Sequence, residues 1–387
     1  MIKGFEFYFP TKIRFGEGVL DELADIIKGF GKSNPFIVTD PGVRAAGLVD
    51  MVTDRLKKGG ITQFVIFDDV LPNPRCEGVN AGGDAAKAAS CDMLIAIGGG
   101  SPIDTAKGVG VLMTNEGVIE DFEGFWKVKN ELPPFITIPT TVGTGSEVTE
   151  WAVITDLKRS FKMSVADYKL YPDYALCDPV MVKNLPGRIV ASTGMDALSH
   201  CIESYVCNVS TPTSDAIALA GMEIIGKNIT AAVYANDYEA KAQMQLGAMF
   251  GGLALSQADI AGVHCMGEAL GGLFDTPHGI ANASVLPYVM AFEVVGTPEK
   301  YARIAEVLGG DIRGMSLMDA AYEAAGIVKR LNDTLQIPTL EEIGVKPEDF
   351  QGLAEKSAAN ASNPSNVRNI SVEEYYMLFE KAYKGEL

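Results

Sequence analysis

The sequence is short of histidine, short of cations and without paired cysteines. Histidine occurs three times in 387 residues, and lysine plus arginine total 32 against 50 acidic residues, a net charge of −18. That balance argues against nucleic acid or an anionic membrane surface as a partner. Cys76, Cys91, Cys177, Cys201, Cys207 and Cys265 form no C-x-x-C pair. A zinc ribbon, a redox motif and a disulfide framework are therefore not expected, and most of these thiols should be reduced and buried. No apolar run is expected to reach the roughly 18–20 residues of a membrane span. The opening stretch MIKGFEFYFPTKIRF is too short, and too broken by Lys3, Glu6 and Pro10, for a signal peptide. Cytoplasmic residence is the default expectation. Internal repeats, low-complexity segments and a G-x-G-x-x-G fingerprint are also missing.

What is present is apolar and rich in glycine, with 47% hydrophobic residues and 41 glycines, a composition suited to a compact enzyme with glycine-lined loops. The length suffices for two domains. In the first half, short β-branched runs at Phe36–Thr39, Phe64–Phe67, Met93–Ile97 and Phe135–Ile138 alternate with helical patterns such as Gly47–Lys58 and Val79–Ala89. This alternation predicts a mostly parallel sheet covered by helices. After Pro179 the pattern turns helical, at Arg188–Val206, Thr213–Tyr234, Tyr238–Gln257, Pro298–Leu308, Ser316–Leu331 and Val372–Tyr383. With Leu185–Pro186–Gly187 as punctuation, the expected division is an α/β domain over 1–185 and an all-α domain over 186–387. A site is expected in the cleft between them.

Two glycine loops follow strand candidates. In MLIAIGGGSPIDTAKG (Met93–Gly108), Gly98, Gly99 and Gly100 permit close backbone approach. Ser101 is placed to cap the following helix, with Pro102 at its first position and Asp104 completing a capping box. The exposed N–H groups of such a helix start suit a pyrophosphate. FITIPTTVGTGSEVT (Phe135–Thr149) repeats the design with Thr140, Thr141, Gly143, Thr144 and Gly145. A pair of loops fits a dinucleotide better than a single phosphate. Asp40, after the run FIVT, is positioned either to accept hydrogen bonds from ribose hydroxyls, favouring NAD over NADP, or simply to serve as a turn residue before Pro41. Because the glycine loop follows the acid, the dinucleotide fold would be a Rossmann-like variant.

The three histidines all fall within about eighty positions. In STGMDALSHCIE, Asp196 and His200 are four apart and share a helix face, with Glu203 three residues further along it. In HCMGEALGGLFDTPHG, His264 and His278 flank Gly271–Gly272, where a break is expected to fold the chain back and bring both imidazoles to one point. One carboxylate and three imidazoles make a metal set. Catalytic zinc ordinarily keeps three protein ligands, so a fourth suits Fe(II) better, with zinc still able to occupy the site.

GGGSPIDTAKG, IPTTVGTGSEVT, the segment Asp178–Glu203 and the G-V-H…P-H-G segment Gly262–Gly279 together resemble the iron-containing (group III) alcohol dehydrogenases, over essentially the full chain. The resemblance implies an N-terminal dinucleotide domain, a helical C-terminal domain and a homo-oligomer. It also implies metal ligation by Asp196, His200, His264 and His278, and NAD contacts from Asp40, Asn73, Gly99, Gly100, Ser101, Thr140, Thr141, Thr149 and Lys162. Asn73 and Lys162 rest on the resemblance alone, since the residues by themselves read as a turn and a solvated charge. One position departs from the family. Four residues after the third ligand, many members carry a histidine, and here Glu268 stands there.

The expected reaction interconverts a small primary alcohol or diol and its aldehyde by hydride transfer with NAD(H), the metal acting as Lewis acid on the substrate oxygen. With every histidine a ligand, proton transfer falls to Glu268 or to water and the nicotinamide ribose. Glu268 equally suits a role in orienting a ligand. Two rivals are a cyclase resembling dehydroquinate synthase and a non-catalytic NAD- and metal-binding protein. The first must grip a phosphorylated substrate, yet between Gly187 and Gly279 the basic residues are Arg188, Lys227 and Lys241, none beside a ligand.

Overall fold

The computed structural model describes residues 4–159 and 161–387. These form two compact units. One comprises Phe9–Thr141 and Gly145–Leu185; the other comprises Pro186–Leu387 together with Val142–Thr144 and the described residues before Phe9.

The first unit is α/β. Its strands are β1 (Lys12–Phe15), β2 (Pro35–Val38), β3 (Val65–Phe67), β4 (Met93–Gly98), β5 (Gly124–Phe125), β6 (Phe135–Pro139), β7 (Trp151–Asp156), β8 (Phe161–Ala166) and β9 (Tyr174–Cys177). Its α-helices are α1 (Leu23–Gly29), α2 (Pro41–Ala45), α3 (Leu48–Lys58), α4 (Cys76–Ala88) and α5 (Gly100–Thr114). Six strands form an all-parallel sheet in the order β1-β9-β6-β4-β2-β3. β5, β7 and β8 form a small mixed sheet in which β7 and β8 run antiparallel.

The central strands β2, β4 and β6 are buried along their whole length. They are continuous apolar runs rather than alternating ones because helices cover both faces. The side-chain period of two sorts them. Ile37, Ile95, Ile97, Ile136 and Ile138 pack with Leu23, Ile27, Val52 and Leu56 of α1 and α3. Phe36, Val38, Leu94, Ala96 and Phe135 pack on the other face with Ala86, Ile103, Ala106 and Val109 of α4 and α5. Each such buried Val, Leu, Ile or Phe side chain stabilises the unit by roughly 1.5–3 kcal/mol. From β2 the sheet grows outward to β3, whereas from β4 it grows the other way to β6. The gap between the carboxyl ends of β2 and β4 is therefore a topological switch point, where open α/β sheets bind ligands.

The second unit is helical: α6 (Gly187–Val206), α7 (Pro212–Tyr234), α8 (Tyr238–Ser256), α9 (Gly262–Phe274), α10 (His278–Glu293), α11 (Pro298–Val307), α12 (Leu317–Leu335), α13 (Leu340–Ile343), α14 (Phe350–Ala358) and α15 (Val372–Lys384). α6 packs against α7, α8 and α10, and is buried almost without interruption from Val190 to Val206. Thr211 caps α7 by accepting the Ser214 N–H at 3.1 Å, and Pro212 takes the first helical position.

Three expectations need correction. α9 runs through Gly271 and Gly272 without a break; the chain turns instead at Asp275–Pro277, where Asp275 adopts a left-handed conformation (φ 51°). Packing of the buried face of α9 outweighs the weak helix propensity of two glycines. α5 begins at Gly100 with Gly99 as its cap residue and no side-chain cap, so Ser101 and Asp104 do not form the expected box. Finally, by length and composition, α7 and the stretch His278–Gly296 do reach the apolarity of a membrane span. In the second, 72% of the window is buried within the protein, and α7 packs against α6 and α8.

Candidate metal centre and cofactor surface

On α6, Asp196 and His200 project from one face, as their spacing requires. α9 supplies His264 near its start, and α10 opens with His278. One ligand atom from each of the four lies within 4.8 Å of all the others. Asp196 Oδ1 is 4.0 Å from His200 Nε2 and 3.7 Å from His278 Nε2. Asp196, His200 and His264 are buried, while the His278 side chain retains 31% exposure and forms the open side of the group.

The electrostatics suit a cation. Burial opposes ionisation of Asp196, but His200, His278 and His264, with a hydrogen bond from Asn282, hold its carboxyl below the usual range. Burial pushes His200 down against the pull of Asp196, which favours the neutral imidazole a metal needs. For His264, Glu203 outweighs burial and raises the ring.

Glu203 is more than a neighbour on the Asp196 face. Its Oε2 pairs with His264 Nδ1. Its Oε1 accepts the backbone N–H groups of Ala261 at 2.9 Å, Val263 at 2.8 Å and His264 at 3.4 Å. α9 has no side-chain cap of its own, so a carboxylate from α6 serves as one. The same carboxylate accepts a hydrogen bond from His264 Nδ1–H and leaves Nε2 for the cluster. The donor set, its burial and this fixed tautomer fit a divalent transition metal.

Glu268, one turn beyond His264, lies outside the four converging ligands. It is half-buried, and its Oε2 accepts from Asn360 Nδ2 at 2.6 Å.

The cofactor candidates lie in the α/β unit. Asp40 follows β2, Gly99, Gly100 and Ser101 follow β4, and Thr140 and Thr141 follow β6, at the carboxyl ends of three adjacent parallel strands. Asp40 also caps α2, its Oδ1 accepting the Val43 N–H at 2.9 Å. Its turn role and its position at the switch point thus coexist. A Cβ at Gly99 would come within 2.9 Å of Thr141 Cγ2, so bare backbone is required there. Beside it, the start of the 15-residue α5 presents N–H groups suited to an anion. Asn73 (φ 54°) accepts from Lys162 Nζ at 2.9 Å, which joins two residues far apart in sequence.

Lys107, within the first glycine motif, escaped the sequence reading. It is fully buried, and its Nζ donates to Thr149 Oγ1 at 3.0 Å, Ser146 Oγ at 3.2 Å and the Trp151 carbonyl at 2.6 Å. Burial lowers its pKa to about 8. Asp104 accepts from Ser146 Oγ and, at 3.0 Å, from the Val153 N–H. Together they fasten α5 to the turn carrying Thr149. The signal available in the sequence was a lone lysine inside the apolar run TAKGVGVLM.

Comparison with known proteins is consistent across the chain. The model of the iron-containing alcohol dehydrogenase family matches residues 10–179, and that of the C-terminal part of the Fe-containing alcohol dehydrogenase family matches residues 190–383. The 1,3-propanediol dehydrogenase of Citrobacter freundii is 35% identical over 383 residues, 98% of this chain and 99% of that protein. The lactaldehyde reductase of Escherichia coli (strain K12) is 36% identical over 372 residues, 95% and 97% of the two chains. Among solved structures, a 1,3-propanediol oxidoreductase superposes with a TM-score of 0.95 at 34% identity, covering 98% of this chain and 100% of that one.

Proposed function

The chain belongs to the iron-containing alcohol dehydrogenase family, and from that premise we propose a specific working of its site. It is an NAD-dependent oxidoreductase that interconverts a small primary alcohol or diol and its aldehyde. The observation that carries the reading is the convergence of Asp196, His200, His264 and His278 from three helices.

Those four residues would hold the metal, and four protein donors exceed the three that catalytic zinc ordinarily keeps, which favours Fe(II). When bound, the metal supplies Lewis acidity toward the substrate oxygen, and the nicotinamide supplies or accepts the hydride. The chain's own residues do the rest. Glu203 fixes the ring of His264. The half-exposed His278 leaves the open side by which a small substrate enters. Asp40 offers its carboxylate to ribose hydroxyls, and the α5 start offers N–H groups to pyrophosphate. Glu268, held by Asn360, carries the proton to and from the reacting oxygen, since all three histidines stand in the ligand cluster.

Relatives named for 1,3-propanediol and lactaldehyde support a short diol or hydroxyaldehyde as substrate class. The reading extends to a cytoplasmic homo-oligomer, which fractionation and size-exclusion chromatography measure. The decisive experiment is an anaerobic NADH-oxidation screen across short aldehydes, with metal analysis of the same preparation. Turnover should follow iron content. Equal activity in metal-free protein would overturn the proposal.

A further inference from the structure

Four residues after His278, and therefore on the same face of α10, stands Asn282. Its side chain is fully buried. Its Nδ2 lies 2.8 Å from Asp196 Oδ1, 3.0 Å from His264 Nε2 and 3.2 Å from His278 Nε2. An amide nitrogen carries two hydrogens, so it cannot satisfy three acceptors at once. The three are not equivalent. Each imidazole Nε2 has one lone pair, the one a metal takes, whereas a carboxylate oxygen keeps a second after ligation. The bond to Asp196 is thus the one compatible with a bound metal.

A second observation concerns the space around this amide. A Cβ at Gly267 on α9 would lie 1.9 Å from Asn282 Oδ1, far inside any tolerable contact. Gly267 sits mid-helix at a cost in propensity, and its bare backbone is what admits the amide. Asn282 Oδ1 itself has no hydrogen-bond partner among the described residues. A buried amide with only its nitrogen engaged is unfavourable by itself, which points to a task for that nitrogen.

We propose that Asn282 is a positioning residue of the metal centre, its amide fixing the Asp196 carboxylate, with Gly267 left without a side chain to make room for it. This rests on the metal-centre reading above. Among the described hydrogen bonds, Asn282 Nδ2 is a donor to Asp196 that is not itself one of the four converging groups. The amide links Oδ1 to the side of the cluster where Nε2 of His264 and of His278 lie.

The test uses cobalt(II) as a visible probe in the full-length protein, with chelator competition for affinity and the d–d absorption bands for coordination. Asn282→Leu keeps the volume and removes the donor. Gly267→Ala keeps the donor and displaces it. Both are expected to bind cobalt roughly 10–100-fold more weakly, the usual cost of losing a group that orients a ligand, and both should show altered bands. Circular dichroism and a thermal midpoint confirm that each variant is folded, and Asn282→Ser serves as a third variant that restores a small donor and part of the affinity. Wild-type affinity and bands in Asn282→Leu would reduce Asn282 to packing and overturn the proposal. Wild-type protein that takes up no cobalt would overturn the metal-centre reading, and this inference with it.

Discussion

Asp40 and Glu268 are two residues whose chemistry can be altered with little change in shape. Asp40→Asn keeps an oxygen to cap α2 through the Val43 N–H and removes the charge proposed to repel a 2′-phosphate. The ratio of kcat/KM for NADPH over NADH should rise roughly tenfold, about 1.4 kcal/mol; an unchanged ratio would place cofactor choice elsewhere. Glu268→Gln preserves an acceptor for Asn360 and removes the proposed proton carrier. A fall in kcat on the order of 10²-fold is expected from steady-state rates. Unchanged kcat would assign proton transfer to water. At this scale the sequence was most readable where residue types are rare. Three histidines in 387 residues left little choice of ligand. Asn282 was unreadable because asparagine is common and its role exists only once α6, α9 and α10 converge.

Elements were legible to the extent that periodicity governs them. The runs at β2, β4 and β6 and the long helices α6 to α8 are patterned by burial, and burial is written in the sequence. Helix starts and breaks were less readable, because contacts from outside the element decided them. Asp104 does not cap α5; it accepts from Ser146 and Val153 instead. Glycines at 271 and 272 do not end α9, since a packed face holds them in helix. Glu203 caps α9 from α6, an arrangement that sequence neighbours cannot reveal. The staple between α5 and the Thr149 turn invites a direct test. Lys107→Met retains length and apolar bulk but leaves Thr149, Ser146 and the Trp151 carbonyl without their donor. Losing such buried bonds costs about 1–3 kcal/mol. Calorimetric titration should show weaker NADH binding with metal content unchanged, whereas wild-type NADH affinity would limit Lys107 to a structural role.

At the scale of the whole molecule, buried acids make stability depend on pH near neutrality. Glu293 on α10 is 2% exposed, and its pKa is raised to about 8. Burial is the main cause and Glu203 on α6 adds to it. The Tyr301 hydroxyl on α11, the Val367 backbone and Arg368 ahead of α15 act in the opposite direction. Glu147 in the α/β unit is likewise raised by burial, to about 7. A group with a raised folded-state pKa keeps its proton longer in the fold than in the unfolded chain. Its contribution is complete below about pH 4.5 and is lost as pH rises through the folded value. Glu293→Gln should therefore match wild type near pH 4.5 and become more stable by on the order of a few kcal/mol above pH 8. Thermal midpoints at the two pH values test this, and a constant difference across the range would remove Glu293 as the cause.

The four ligand candidates come from α6 and, a long stretch of chain later, from α9 and α10. A metal held by them is a clasp as well as a reagent, since only the folded arrangement offers all four donors. Folding and metal supply then become one equilibrium. At a free metal concentration a hundredfold above Kd, the clasp adds about 2.7 kcal/mol to the folded state. Chelation should lower the melting temperature in proportion to the metal removed, and a melting temperature indifferent to chelator would deny the linkage. In a metal-poor cell such a protein would lose persistence along with activity, so its abundance would report the metal supply.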